Sequence, residues 1–532
     1  MKKLDLIIVA VLCVCIISCA KKGRPSGGPK DITPPKMVIA TPENYSTNFS
    51  ENEIKILFNE YVKLNDINKQ LIISPPLKIK PLISPQSGAS KYVKIKIYDT
   101  LQPNTTYSFN FGKSIVDNNE GNPYQYFKYV FSTGETIDSL QLNGSVRDAL
   151  AKTTDDFVSV MLYEIDSTYT DSTVYNTPPR YITNTLDSAT TFQFENLKAG
   201  TYQLLALKEE SDNFMFNQKT DKIAFKEELI TVPSKESHEL LLFKEIENYK
   251  ALRPKHERLN RIKFRYEGQA VEPIGIQLIS DANIRSMVTK PIDNDTLNYW
   301  FKPSLEVDSL KFIMRHEQQI DTFKVRMRKK VKADSLSFKP VTRGLTLDGD
   351  YQISSTTPIS QIDNAKINVL NQDSIALPFT TSIEKLTNII NLKFEKAENE
   401  KYTINILPEA FTDFFEATND TLVYRTTTKK LSAYGNIKVT LNNAPKTPLI
   451  VQLVTSKGEV SYEKFGTGVT VFDFVNVDPS TYNLRVIFDD NNNQKYDTGH
   501  YLKKLQPERV SYHPDAIEIR ANWDVEERFT LK

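Results

Sequence analysis

The stretch Asp489–Asp497 (DDNNNQKYD) carries the residue types that could bind a metal ion. Oxygen-bearing side chains stand at Asp489, Asn491, Asn493 and Asp497, which are positions 1, 3, 5 and 9 of a calcium loop of the EF-hand type. Calcium takes six to eight hard oxygen ligands, and alternate positions of a tight loop can aim them inward. The spacing therefore predicts a calcium site at these four residues.

The same stretch also has a simpler interpretation as an Asn/Asp-rich turn between two strands. Gln494 stands where the calcium loop needs glycine, and His500 stands where it needs a bidentate glutamate. Asn and Asp favour turns because their side chains bond to nearby backbone groups. An earlier stretch, Glu209–Asn213, is a poorer version of the same pattern. Calcium binding and a plain turn both remain open at this point.

Motifs for catalysis are absent from the chain. The sequence has no H-E-x-x-H, G-x-S-x-G, P-loop or G-x-G-x-x-G pattern. It contains only five histidines, and none has metal-ligand spacing: His238, His256, His316, His500 and His513. We therefore expect a protein that is not an enzyme and holds no cofactor other than calcium. If the protein is an enzyme, the remaining interpretation is a hydrolase whose two catalytic carboxylates are brought together by the fold.

The N-terminal segment predicts export and a lipid anchor. Lys2 and Lys3 precede the apolar run Leu6–Ile17, which ends just before Cys19. A run of this length is too short to span a membrane, which needs roughly 20 apolar residues, and the order of regions is that of a secretory signal. The cysteine at the cleavage position resembles a bacterial lipoprotein signal. We expect residues 1–18 to be the signal peptide and Cys19 to carry the lipid, with a transmembrane anchor and an unlipidated signal peptide as alternatives.

Cysteine positions and net charge exclude several kinds of site and partner for the mature chain. All three cysteines lie in the first 19 residues, so disulfide scaffolds and zinc–thiolate sites are excluded beyond Cys19. Lysine and arginine number 67 against 66 acidic residues, and no basic stripe points to nucleic acid. Residues 19–35 form a Pro/Gly-rich linker, which favours an extended stalk.

Alternating apolar residues predict an all-β chain of tandem β-sandwiches. In Glu53–Phe58 every second residue is apolar, and Tyr92–Tyr98 repeats the pattern. Short strands separated by turn residues continue through residues 36–135, which favours a sandwich. The phrases TPENYSTNFSENEIKILFNEYV and LQPNTTYSFNFGKSIVDNNEGN resemble bacterial Ig-like domains of the SbsA type.

A second phrase defines the next segment, residues 138–243. Phe192–Leu207 reads as strand, tight turn and strand, and resembles the prealbumin-like or carboxypeptidase-regulatory-like β-sandwich. We expect Gly200 to supply the positive φ of this turn. The phrase returns at Phe472–Val486, where Ser480 replaces the glycine.

The Ig-like phrase also returns, since Asn104–Phe111 is similar to Asn399–Ile406. Two echoes in the same order predict an internal repeat: a second Ig-like sandwich at 341–432 and a second prealbumin-like sandwich at 433–532. The middle segment, 245–340, is expected to be a further β module. Its opening stretch, Glu245–Arg258, is polar with scattered apolar residues and is the best candidate for a helix.

Taken together, Cys19, the linker and the Ig-like phrases resemble an outer-membrane lipoprotein family of Bacteroidota. The resemblance implies a lipid-anchored protein of the outer membrane. Lys21, Lys22 and Arg24 follow the cysteine, where acidic residues often signal export to the surface, so periplasmic and surface-facing orientations both stay open.

The sequence thus predicts a non-enzymatic envelope scaffold that binds another envelope protein. An outer-membrane β-barrel complex is a plausible partner by analogy with other large lipoproteins. A glycan-binding surface protein is the alternative, and it requires exposed aromatic side chains on a sandwich face.

Overall fold

The computed structural model describes residues 30–531 except 186–189, 271–272, 281–282, 292–294 and 343. The signal peptide, Cys19 and most of the linker lie outside the described residues. The predicted all-β fold with tandem β-sandwiches is confirmed. We label the strands β1–β41 and group them by sheet into modules 1–5. The domain boundaries given above stay predictions, and the modules are defined by their strands alone.

Module 1 is a sandwich of two sheets with the strand orders β1-β2-β5-β4, where β7 also pairs β2, and β3-β6-β8. The predicted alternation is realised in β2, where Ile54, Ile56 and Phe58 face the core and are almost fully buried. Its elements are β1 (Met37–Thr41), β2 (Glu53–Leu64), α1 (Ile67–Gln70), β3 (Ile72–Ser74), β4 (Leu82–Ser84), β5 (Ser90–Lys96), β6 (Thr106–Asn110), β7 (Ile115–Asp117) and β8 (Lys128–Ser132).

Module 2 packs a sheet of order β12-β9-β16 against one of order β11-β10-β13-β14, where β15 also pairs β13. Strands β9 and β16 run parallel. Its elements are β9 (Leu140–Asp148), β10 (Ser159–Glu164), a 3-10 helix (Asp171–Tyr175), β11 (Tyr181–Asn184), β12 (Thr191–Leu197), β13 (Gly200–Lys208), β14 (Lys222–Phe225), β15 (Ile230–Val232) and β16 (Ser237–Leu242).

Module 3 consists of sheets β17-β18-β21-β20 and β19-β22-β23 around a core that includes Phe264, Tyr299 and Phe312. Its strands are β17 (Lys250–Arg258), β18 (Arg261–Glu267), β19 (Gly275–Ile279), β20 (Arg285–Thr289), β21 (Thr296–Lys302), β22 (Ser309–His316) and β23 (Gln319–Arg326).

The helix expected at Glu245–Arg258 is wrong, because residues 250–258 form strand β17 paired with β18. Pro254 and His256 are buried while Arg253 and Lys255 are exposed, which is the two-residue alternation of a strand. Pro254 is also the signal that sequence reasoning passed over, since proline in the interior of a helix removes a hydrogen bond and clashes with the preceding turn.

Module 4 repeats the plan of module 1, with sheets β24-β25-β30-β29 and β28-β27-β31-β33 and a small pair β26-β32. Its elements are β24 (Phe338–Pro340), β25 (Tyr351–Ser355), β26 (Ile359–Ile362), a 3-10 helix (Asn364–Lys366), β27 (Ile367–Leu370), β28 (Ala376–Leu377), β29 (Phe379–Glu384), β30 (Ile389–Phe394), β31 (Lys401–Ile406), β32 (Phe411–Asp413) and β33 (Leu422–Thr427).

Module 5 repeats the plan of module 2, including the parallel pair, here β34 with β41. Its sheets have the orders β37-β34-β41 and β36-β35-β38-β39, where β40 also pairs β38. Its elements are a 3-10 helix (Leu431–Ala433), β34 (Gly435–Asn442), β35 (Pro448–Val454), β36 (Val460–Thr467), β37 (Val471–Val477), β38 (Ser480–Phe488), β39 (Val510–Tyr512), β40 (Ile517–Ile519) and β41 (Asp524–Thr530).

The repeated Ig-like phrase folds into the same corner in modules 1 and 4. The Tyr107 hydroxyl accepts from the Gln102 N–H at 2.9 Å, and the Tyr402 hydroxyl accepts from the Ala397 N–H at 2.7 Å. A threonine closes each corner: Thr133 Oγ1 donates to the Gln102 carbonyl at 2.7 Å, and Thr428 Oγ1 donates to the Ala397 carbonyl at 2.6 Å.

The repeated turn of modules 2 and 5 does not depend on Gly200, whose φ is not positive, so that expectation is wrong. The positive φ falls on Asn196 (59°) and Asn476 (56°) instead, and asparagine tolerates this region better than most residues. The hydroxyls of Tyr202 and Tyr482 each donate to a carbonyl four residues back, at 2.9 and 2.8 Å. The same turn therefore forms with glycine or serine at the strand start.

Candidate functional site

The Asp489 carboxylate organises the loop that joins β38 to β39. Asp489 is 2% exposed. One of its oxygens accepts from the Asn493 N–H at 3.0 Å and the other from the Gln494 N–H at 2.9 Å. Asn492 and Gln494 both have positive φ, so the chain curls tightly around the carboxylate. This is the behaviour expected of an Asp-anchored turn.

The other three predicted residues also converge on this turn. Asn491 and Asn493 donate their side-chain N–H groups to the same Asp497 oxygen, at 2.5 and 2.8 Å. The carbonyl oxygens of these two amides accept from the backbone N–H groups of Asn493 and Lys495. The oxygens that a calcium ion would need are thus largely engaged by the loop's own donors.

A further carboxylate, Glu508, belongs to the loop and was missed from the sequence. Its two oxygens accept from the N–H groups of Asp490 and Asp497, both at 2.9 Å. Burial raises the pKa of Glu508, and the nearby carboxylates of Asp497 and Asp489 raise it further against these two hydrogen bonds. No local motif links Glu508 to the loop, because the contact forms only when β39 pairs with β38.

Module 2 contains a matching turn, which favours the structural interpretation. Glu209 follows β13 as Asp489 follows β38, and one of its oxygens accepts from the Asn213 and Phe214 N–H groups at 2.9 and 2.8 Å. A carboxylate that gathers backbone donors at this place is therefore shared by the two modules. In the described part of the chain, no group of three or more His, Cys, Asp or Glu side chains has an arrangement that could hold a metal ion. Calcium binding stays a prediction.

Calcium binding predicts a specific thermal response. If the loop binds calcium, millimolar calcium should raise the melting temperature of the full chain relative to a chelator control, because a ligand stabilises the state that binds it. Asp497→Asn, which removes the one carboxylate that accepts from both amides, should abolish that rise. An unchanged melting temperature in both proteins would leave the loop as a hydrogen-bonded turn.

The residues that follow this turn, 498–506, form a tongue that docks on module 2. The side chain of Tyr501 is fully buried at the tip. Its ring lies 5.3 Å from that of Phe225 and 6.5 Å from that of Tyr175, and its hydroxyl is 3.1 Å from the Tyr169 hydroxyl. Tyr501 thus completes an aromatic cluster that otherwise belongs to module 2.

Polar contacts fix the tongue around Tyr501. The backbone N–H of Tyr501 donates to the buried Glu245 carboxylate at 2.5 Å. The same carboxylate lies 3.8 Å from the His500 ring. Thr498 donates to the Lys244 carbonyl at 2.8 Å, and Lys504 pairs with Asp171 at 2.6 Å. A buried polar group is tolerated when it is hydrogen-bonded, and Glu245 is satisfied from both sides, by the tongue and by the Gln218 amide of module 2 at 2.8 Å.

A second contact joins modules 2 and 5 through Leu150 and Lys152 of module 2. The Leu150 carbonyl accepts from the Tyr512 hydroxyl at 2.8 Å and from Arg485 at 3.4 Å. Lys152 donates to the Asn483 side chain at 3.1 Å and to the Pro514 carbonyl at 2.8 Å. The two modules are far apart in sequence but contact each other at both places.

Modules 2–5 consequently form a closed ring. Neighbouring modules are joined by ion pairs and one aromatic contact: Lys219–Glu267 at 2.9 Å between modules 2 and 3, Lys302–Glu416 at 2.9 Å and Trp300–Phe415 at 6.2 Å between modules 3 and 4, and Lys429–Asp478 at 2.5 Å between modules 4 and 5. The tongue of module 5 contacts module 2 and so completes the ring. Module 1 attaches to module 2 through Lys128–Glu195 at 2.6 Å.

Several aromatic side chains remain exposed, as the glycan-binding alternative requires. Tyr61, Tyr92 and Tyr98 are each more than a third exposed on module 1. Lysine ammonium groups lie over all three rings, the closest being Lys55 over Tyr92 at 3.9 Å from the ring centroid. This face offers both a stacking platform and positive charge.

The comparisons with known proteins place an Ig-like domain at the start of the chain. Residues 31–133 match the family described as bacterial Ig-like domain. No curated protein matches the chain. No helix in the described ranges has the length and apolar character to cross a membrane.

Among solved structures, the chain is similar to the surface layer protein SbsC, domains 1-6, with 11% identity over 91% of this chain and 67% of the other and a TM-score of 0.16. The BSP domain of a biofilm associated protein gives 8% identity over 76% of this chain and 99% of the other, with a TM-score of 0.14. A Dscam isoform structure gives 9% identity over 93% and 99%, with a TM-score of 0.15.

Proposed function

We propose that this protein is a non-enzymatic scaffold of the bacterial outer membrane, tethered by a lipid on Cys19 and used to hold another envelope protein. The observation that supports the proposal best is the closed ring of modules 2–5. Loosely linked sandwiches would serve as a spacer, whereas modules locked by a buried tongue keep their surfaces in fixed relative positions. Fixed surfaces suit recognition of a large, rigid partner such as an outer-membrane β-barrel complex. The Bacteroidota lipoprotein resemblance supports the same setting.

The scaffold is tested by crosslinking in intact cells with a photoreactive residue placed on exposed positions of modules 3 and 4. We expect one dominant crosslinked envelope protein that is also recovered from detergent-solubilised envelope. Protease treatment of intact cells, compared with lysed cells, distinguishes surface from periplasmic exposure. Recovery of no partner protein by either route would contradict the scaffold.

The lipid anchor gives an independent prediction. Cys19→Ser removes the only thiol that can be acylated in the mature chain, so the protein should move from the membrane pellet to the soluble fraction. Stable anchoring needs more than one acyl chain, so the loss should be nearly complete. Cys13→Ser, a change within the signal peptide, is the matched control and should leave fractionation unchanged. If the Cys19→Ser protein stays in the pellet after a carbonate wash although residues 1–18 have been removed, which N-terminal sequencing checks, Cys19 is not the anchor.

A second candidate function, glycan binding, is favoured by the exposed face of module 1. Tyr61, Tyr92 and Tyr98 with their overlying lysines would suit stacking on sugar rings or contact with anionic glycans. Alanine at Tyr92 and Tyr98 together should then abolish retention on immobilised envelope polysaccharide. Equal retention of the double variant and the wild type would remove this candidate.

A further inference from the structure

The free edge of module 1 is covered by the chain's own segment Pro42–Phe49. This segment runs along the last strand, β8, and is joined to it by backbone hydrogen bonds. The Tyr45 N–H donates to the Val130 carbonyl at 2.7 Å, and the Ser132 N–H donates to the Ser46 carbonyl at 2.9 Å. The edge strand therefore has partners on both sides.

A tyrosine hydrogen bond and a stacked pair of phenylalanine rings hold the covering segment in module 1. The buried Tyr129 hydroxyl donates to the Pro42 carbonyl at 2.8 Å, and the Phe49 ring stacks on Phe131 with centroids 3.9 Å apart. Tyr129 thus serves as a hydrogen-bonding anchor for a strand-like segment laid against the edge.

Module 4 places Tyr424 at the position equivalent to Tyr129. Tyr129 pairs with Phe109, the second residue after the corner tyrosine Tyr107. Tyr424 pairs with Ile404, the second residue after the corner tyrosine Tyr402. The Tyr424 hydroxyl is buried but has no hydrogen-bond partner in the described part of the chain. A buried hydroxyl without a hydrogen-bond partner lowers the stability of the folded state, so it calls for an explanation.

Among the described residues, no segment is hydrogen-bonded along this edge of module 4. The connection from β24 to β25 spans residues 341–350, and Val341 donates to the Gln352 carbonyl of β25. Within the described ranges, β33 pairs only with β31. No further hydrogen bond from the described residues reaches the backbone of Arg425 or Thr427, the counterparts of Val130 and Ser132.

A cleft lies beside β33 and extends across the sheet to the turn between β27 and β28. It has a volume of about 960 Å³ and is lined by Tyr351, Tyr402 and Tyr424 among others. Lys401 and Arg425 also line it, and none of the described lining residues is a carboxylate. The cleft thus combines an open strand edge, an unpaired hydroxyl donor and positive charge.

We propose that the β33 edge of module 4 binds an extended acidic segment of a partner protein. The segment adds as a strand to β33, one of its carbonyls accepts from the Tyr424 hydroxyl, and its acidic side chains pair with Lys401 and Arg425. Strand addition to an exposed edge is a general mode of peptide recognition, in which the main chain gives affinity and side-chain pockets give specificity. This edge is where the scaffold proposed above would bind its partner, so the inference rests on that proposed function.

The test uses the full chain and a displayed library of random 12-residue peptides. Enriched peptides are synthesised with a fluorophore, and their affinity is measured by anisotropy. We expect peptides rich in Asp or Glu. Thr427→Pro removes an edge N–H and should abolish binding, whereas Tyr424→Phe removes one hydrogen bond and should weaken it about 3- to 10-fold. The matched control is Tyr129→Phe, the same change in module 1, which should leave affinity unchanged.

Because Thr427→Pro could lose binding by misfolding, a charge-reversal variant provides an independent test. Lys401→Glu with Arg425→Glu changes two exposed side chains and should weaken acidic peptides at least tenfold. Failure to enrich any acidic peptide, or equal binding by wild type and the charge-reversal variant, would overturn the proposal. Self-association through this edge without peptide, lost in Thr427→Pro, would also overturn it in favour of a second copy of the chain. Because these measurements need no membrane or cell, their failure leaves the scaffold to be decided by the crosslinking experiment.

Discussion

Replacement of Tyr501 with alanine is expected to open the ring of modules 2–5. The side chain is fully buried in the aromatic cluster of module 2, and truncation of a buried aromatic residue costs about 3–5 kcal/mol. The loss falls on the contact between modules, because each sandwich core is formed by its own residues. We therefore expect modules 2 and 5 to remain folded but to separate.

Distances between spin labels can measure this opening. The chain has no cysteine beyond Cys19, so single cysteines can be placed at Glu228 on module 2 and Lys457 on module 5, both exposed. In the wild type the distance distribution should be narrow, and in Tyr501→Ala it should become broad and shift to longer values. Trp523→Ala is the matched control, since this aromatic side chain lies 51% exposed on module 5. A narrow, unshifted distribution in Tyr501→Ala would mean that the Leu150 contacts and the polar contacts of the tongue keep the ring closed without the Tyr501 ring.

The sandwich class was predictable because it depends on local pattern. Alternation in β2 predicted its buried face, and each of the two repeated phrases folds alike in both of its copies. Two expectations failed at single residues. The stretch Glu245–Arg258 contains Pro254, which disfavours a helix, and residues 250–258 form a strand. Asn196, and not Gly200, has the positive φ.

The conformation of the loop Asp489–Asp497 was only partly predictable from the sequence. The four residues Asp489, Asn491, Asn493 and Asp497 lie together in one hydrogen-bonded turn, and calcium binding there stays a prediction. Their orientation was not readable, because it depends on which groups satisfy the turn's own N–H donors. Glu508 and the tongue depend on contacts between strands and between modules. No periodicity in a single sequence records such contacts.

Asp117 in module 1 is expected to be among the most sensitive single positions in the chain. Its carboxylate is 2% exposed. It accepts from four consecutive backbone N–H groups, those of residues 119–122, at 2.6–3.1 Å. Asp117→Ala would leave these donors without their acceptor. Residues 119–121 are exposed, so water can take over part of the lost bonding, and each hydrogen bond then contributes about 0.5–1.5 kcal/mol net. We therefore expect a clear loss in the local stability of module 1.

The same carboxylate makes module 1 sensitive to acid. Burial alone would raise the pKa of Asp117, but the N–H groups of Glu120, Asn122, Gly121 and Asn119 outweigh burial and hold the pKa below its usual value. A carboxyl whose pKa is lowered by folding stabilises the folded state above its unfolded pKa, and that stability is lost as pH falls through the folded pKa. Module 1 should therefore lose stability below about pH 4.

Hydrogen exchange followed by mass spectrometry resolves this effect within the full chain, where unfolding of several modules would blur a single melting curve. At neutral pH, peptides covering residues 115–131 should exchange much faster in Asp117→Ala than in the wild type, and those of module 4 should be unchanged. Asp117→Asn is the informative companion, because it keeps an oxygen acceptor but cannot titrate. It should lose less protection than alanine at neutral pH and show a weaker acid dependence. Equal exchange in all three proteins would mean that neighbouring contacts, and not the carboxylate, hold this turn.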